Sequence, residues 1–156
     1  MRRVNPGAAV LAGIIAALVF VMLEMVLVAT VGGESPWGPP RMIAAIGMGQ
    51  SVLPPPATFD LTVFSVAILI HMVLSIVLAF VFAAITARMN WGLGMMLVAG
   101  AVFGLAVYLV NFYGLTALFP WFAMARNSIS VFAHIMFGVA LAFAYDRLAR
   151  RAAVPV

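Results

Sequence analysis

Four side chains able to carry chemistry fall inside long apolar runs of this sequence: Glu24, His71, Asn111 and His134. An ionisable group in hydrocarbon is costly unless it is paired, so each of these must find a partner or serve a function. Two neutral imidazoles at one depth could supply the axial ligands of a b-type haem, or bind copper or zinc. Ser75 and Gly138, each four residues beyond its histidine, are small enough to admit a macrocycle. Glu24 and the histidines could instead relay protons or act as counter-ions on a small-solute pathway, and with so few helices that pathway would need a homo-oligomer. In the plainest reading the four residues satisfy one another and set helix register, with Glu24 open to pairing with Arg41 or Arg126 from the loops. No nucleophile elbow, His-Glu-x-x-His pair, phosphate loop or carboxylate pair is present, so no catalytic role is expected.

The elements that hold these residues must suit lipid. The chain has 156 residues, 67% of them hydrophobic and only 8% charged, with a mean hydropathy of +1.23; an ordinary soluble domain carries about three times that share of charge. Punctuation by Pro, Gly and charge leaves four apolar runs, at about residues 8–31, 61–88, 93–118 and 128–148. Each exceeds the roughly 20 residues that a crossing needs. The expected fold is therefore an all-α integral membrane protein, a single domain with four transmembrane helices. The first run is too long for a signal peptide and is read as a retained span. Thr58 or Asp60 should cap the second helix, and Asn127 or Ser128 the fourth. The four-residue turn Met89 to Gly92 makes the second and third spans an antiparallel hairpin. Residues 41–51, opened by Pro39 and Pro40 and stopped by Pro54 to Pro56, are too short to cross and read as an interfacial helix on the outer side.

All eight basic residues are arginine. They lie at span ends, where they meet lipid headgroups, so the basic balance implies no nucleic-acid partner. Arg2, Arg3, Arg88, Arg147, Arg150 and Arg151 fall on one side, against Arg41 and Arg126 on the other. The positive-inside rule then puts both termini in the cytoplasm. Trp37, Trp91 and Trp121 sit at span ends, as an aromatic belt requires. Without cysteine there is no disulfide and no thiolate ligand.

An internal two-plus-two repeat is the strongest signal beyond composition. His71-Met-Val-Leu-Ser-Ile-Val-Leu-Ala-Phe80 matches His134-Ile-Met-Phe-Gly-Val-Ala-Leu-Ala-Phe143, Ala12-Gly13 stands before Glu24 as Ala99-Gly100 does before Asn111, and Pro36-Trp37 with Arg41 parallels Pro120-Trp121 with Arg126. A direct repeat places equivalent residues at equal depth, level with each other. Gly100-x-x-x-Gly104, set against Gly13-x-x-x-Ala17, would let the first and third spans approach closely and bring Glu24 towards Asn111.

The run His71-x-x-x-Ser-Ile-Val, the short polar turn followed by Gly-Leu and then Ala-Gly, and the late His134 ahead of a C-terminal arginine cluster resemble the YagU-like group of small bacterial inner-membrane proteins. The resemblance implies four helices with the histidines of the second and fourth spans at His71 and His134; it assigns no activity. Taken together, the expectation is a non-enzymatic membrane protein, an accessory or assembly subunit of a larger complex or a homo-oligomer, whose partners are the bilayer and other membrane subunits or copies of itself. Haem b or a transition metal held by His71 and His134 is the alternative, and a proton or solute pathway the next.

Overall fold

The computed structural model describes residues 4–151, and Arg2 and Arg3, counted in the orientation argument, lie outside them. Five α-helices follow one another: α1 (Pro6–Thr30), α2 (Gly38–Met48), α3 (Leu61–Thr86), α4 (Leu93–Leu109) and α5 (Ser128–Arg151). No strand occurs among the described residues. Four segments are long and apolar enough to cross a bilayer: Pro6–Thr30, Leu61–Thr86, Leu93–Ala117 and Ser128–Arg151. The chain is an all-α, multi-pass membrane protein.

Local chemistry sets the helix ends. Asn5 accepts the backbone N–H of Ala8 at 3.0 Å and opens α1 at Pro6, two residues earlier than the apolar run indicates. Asp60 caps α3 by accepting from Val63 N, and Asn127 caps α5 by accepting from Ser130 N at 2.9 Å. Each cap satisfies an N–H that the first turn leaves without a partner. Pro39 and Pro40 occupy the first turn of α2, where the missing N–H costs nothing. Gly49, at φ +81°, ends α2 in a left-handed conformation that other residues rarely adopt.

The third span is not one uniform helix. After Leu109 the backbone widens into a π turn over Val110–Gly114 and then tightens to a 3₁₀ turn over Leu115–Ala117. Asn111 lies in the widened turn, a distortion often found where helices carry function.

α1 packs between α3 and α5, and α5 packs in turn on α4. This corrects the expected approach of the first and third spans, because α5 stands between α1 and α4. Gly100 and Gly104 face α5: a Cβ at Gly100 would strike the Gly138 carbonyl and the Ala142 side chain, and one at Gly104 the His134 carbonyl. Gly13 faces α3, where a Cβ would lie 2.8 Å from Ile76 Cα and 3.0 Å from the Ser75 carbonyl. In lipid the hydrophobic effect gives helices little reason to associate, so surfaces of small residues that permit backbone contact decide the neighbours. Gly138 on α5 offers α4 a closer fit than α1 does.

The consecutive helices α3 and α4 hardly touch. Their short turn holds them together at one end, where the Phe82 and Phe103 rings meet at 5.3 Å. Beyond that contact the hairpin splays towards the α2 end. The Arg150 guanidinium bonds both Asp146 carboxylate oxygens, at 2.7 and 2.8 Å, near the finish of α5.

Candidate functional site

The polar residues predicted from the sequence gather beside one serine that sequence reasoning missed. Ser130, in the first turn of α5, donates its hydroxyl to Glu24 Oε1 at 2.6 Å, and its backbone carbonyl accepts the Nδ1–H of His134 at 2.7 Å. The spacing Ser130-x-x-x-His134 was the available signal, since residues four apart share a helix face. Asn111 Nδ2 points to the remaining His134 nitrogen, Nε2, at 3.5 Å. His71 sends its Nε2–H to the carbonyl of Ala17 on α1, at 3.2 Å. Carbonyl oxygens only accept, so these bonds select the Nδ1–H tautomer of His134 and the Nε2–H tautomer of His71 in their neutral forms.

Phe20 lies against both imidazoles. Its ring centroid is 5.0 Å from that of His71 and 4.7 Å from that of His134. The rings of Tyr108 on α4 and Phe112 in the π turn close on His134, at 5.6 and 5.3 Å. A macrocycle shared by the two histidines would have to displace Phe20, and His71 has already spent Nε2 on Ala17. The residues present do not fit a haem between His71 and His134, and no three His, Asp or Glu side chains among the described residues converge on one point.

Neither loop arginine pairs with Glu24. Arg41 donates to the carbonyls of Val52, at 2.7 Å, and Thr58, at 2.9 and 3.1 Å. Arg126 donates to the Phe112 carbonyl at 2.7 Å and the Thr116 hydroxyl at 3.3 Å, with its guanidinium 4.4 Å above the Tyr113 ring. Both guanidiniums are closer to bare carbonyls of irregular backbone than to the carboxylate, and those carbonyls need donors of their own. Glu24 is 6% exposed, and its second oxygen, Oε2, has no hydrogen-bond partner among the described residues.

Glu24, His71, Asn111, Ser130 and His134 line one cavity of about 580 Å³. It begins beneath α2, near Arg41 and Met42, and reaches Ser75, Leu78 and Phe137 in the body of the bundle. The walls are otherwise apolar, with Phe20, Val107, Phe112, Leu115 and Phe122 prominent among them. Leu74 and Val77 line it as well, yet are 47% and 54% exposed. The cavity therefore opens sideways, between the splayed α3 and α4. Trp121, expected in an aromatic belt, is buried instead, and its indole N–H donates to the Met42 carbonyl at 3.0 Å, fastening α2 across the cavity's end. Size and lining are those of a small-molecule pocket, in which a few polar groups converge on an apolar chamber.

Compared with protein-family models, curated proteins and solved structures, the chain gives no match.

Proposed function

We propose that this chain is a non-enzymatic protein of the bacterial inner membrane that holds a small lipophilic molecule in the cavity between α3 and α4, with the Glu24 cluster as the polar end of the site. The observation that carries this reading is Oε2 of Glu24, buried in the cavity wall without a hydrogen-bond partner among the described residues. A purely structural network, such as an accessory subunit would use to set register, has no reason to leave that oxygen unmet, because an unsatisfied buried acceptor costs about 1–3 kcal/mol. A bound molecule that supplies the missing bond recovers the cost.

Two further elements belong to the proposal. Both termini face the cytoplasm, supported by Arg88, Arg147, Arg150 and Arg151 at the end of the bundle where α5 finishes, while Arg41 and Arg126 are occupied by loop carbonyls at the other. The two halves are a direct repeat, supported by parallel contacts: Gly13 against Ser75 and Ala79, and Gly100 against Gly138 and Ala142, four and eight residues beyond His71 and His134. Membership of the YagU-like group rests on the motifs around the same histidines.

The test is native mass spectrometry of protein purified from its own membranes in mild detergent. A stoichiometric adduct of small mass is expected, and Leu74→Trp, which fills the side opening at an exposed position, should lose it. A wild-type protein that carries no adduct and copurifies with fixed membrane subunits would replace binding by an accessory role.

A further inference from the structure

The polar end of the cavity is rich in acceptors and poor in donors. Each neutral imidazole gives its single N–H to a backbone carbonyl, Ala17 for His71 and Ser130 for His134, and keeps a lone pair on its other nitrogen. Glu24 Oε2 is a further acceptor, and the Ser130 hydroxyl is already spent on Oε1. Amide hydrogens come from Asn111, one of them directed at His134 Nε2, and from Asn127, which also lines the cavity. A ligand head that could only accept, such as a carboxylate or a ketone, would meet lone pairs on nearly every side. A head that donates would satisfy them.

Charge points the same way. No described arginine answers Glu24, since Arg41 and Arg126 bind elsewhere and the others lie at the opposite end of the bundle or in the α3–α4 turn. A carboxylate among apolar walls gains most from a partner that brings a positive charge with its hydrogen bonds. Phe20, Phe112 and Phe137 all line the cavity, and an aromatic ring attracts a cation that reaches its face.

We propose that the ligand is a lipophilic amine, bound in its protonated form, whose ammonium group donates to Glu24 Oε2 while its apolar body fills the chamber. It enters from the bilayer through the gap between α3 and α4, past Leu74 and Val77. This assignment rests on the binding reading above and deepens it.

Calorimetric titration of the full chain in lipid nanodiscs, with empty nanodiscs subtracted, tests it with three matched probes: octylamine, octanol and octanoate. Octylamine should bind saturably with one site per chain, and octanol and octanoate at least about 30-fold more weakly, the scale of loss when one partner of a desolvated charge pair is missing. Glu24→Gln keeps an oxygen for Ser130 to donate to, so the bundle folds, and it should bring octylamine down to the octanol level. Leu74→Trp should abolish saturable octylamine binding. Equal wild-type affinities for octylamine and octanol, or octylamine binding unchanged in Glu24→Gln, would overturn the amine assignment. If octanol then still binds saturably and is blocked by Leu74→Trp, the binding cavity stands without the amine. Absence of saturable binding by all three probes overturns both.

Discussion

Ser130 joins α5 to α1 through a single 2.6 Å hydrogen bond to Glu24, and the same residue's carbonyl orients His134. One serine thus fixes the carboxylate and the imidazole tautomer together. Its Oγ is 106 residues away in sequence from the oxygen it serves, so the bond forms only once α1 and α5 have packed.

Ser130→Ala leaves Glu24 with no hydrogen bond on either oxygen among the described partners. Thermal unfolding in detergent should show a loss of about 1–3 kcal/mol, the cost of an unmet buried polar group. Glu24→Gln, which retains an acceptor for the hydroxyl, should cost less. In a double-mutant cycle Ser130→Ala and Glu24→Leu should be strongly non-additive, and additive losses would mean that the bond contributes nothing to the fold.

Gly138→Ala should be among the most damaging single-methyl changes in the chain, because its Cβ would strike the Gly100 carbonyl and the Gly104 amide nitrogen across the α4–α5 contact. Overpacking of this kind costs about 1–3 kcal/mol or more, and backbone atoms cannot step aside as a flexible side chain would. Gly94→Ala, where an added Cβ meets nothing within 4 Å, serves as the control and should leave the melting temperature unchanged or slightly raised. Equal tolerance of the two substitutions would refute the close approach of α4 and α5.

Phe20 should bar a shared ligand from the two histidines. Titration of the purified protein with haem is expected to give no bis-imidazole absorption spectrum. Should such a spectrum appear, and vanish in both His71→Ala and His134→Ala, Phe20 must swing away and the packing around it is not fixed.

Orientation can be read from a fusion. A reporter placed after Val156 and active only in the cytoplasm is the expected result of the arginine distribution. Activity only on the far side of the membrane would invert the assignment.

The spans were legible because length and hydropathy answer to the bilayer itself. A run of apolar residues bounded by Pro, Gly or Arg must cross whatever it packs against, and the four crossing segments lie where the runs do. The α2 helix was legible from its prolines, and the caps at Asp60 and Asn127 from side-chain chemistry local to each turn. Glu24, His71, Asn111 and His134 stood out because buried polarity is rare in such a chain, and they do line one cavity.

Other features were hidden for a physical reason. Gly100-x-x-x-Gly104 announces that a backbone can come close without saying which one; α5 took the place expected for α1. Arg41 and Arg126 were natural partners for Glu24 by charge, yet the loops around them expose carbonyls that no helix satisfies, and these bound the guanidiniums first. Ser130 and Phe20 are ordinary letters in an apolar helix until neighbours surround them.

The sequence by itself determined the class of protein, the number of crossings and which polar groups would be committed to the membrane interior, since these follow from the solvent and from local chemistry. Only the tertiary structure decided that α3 and α4 splay, that a cavity opens between them, and that one Glu24 oxygen within it has no partner among the described residues. Those outcomes depend on which small-residue surfaces fit best, and shape complementarity between distant segments is not written in any one of them.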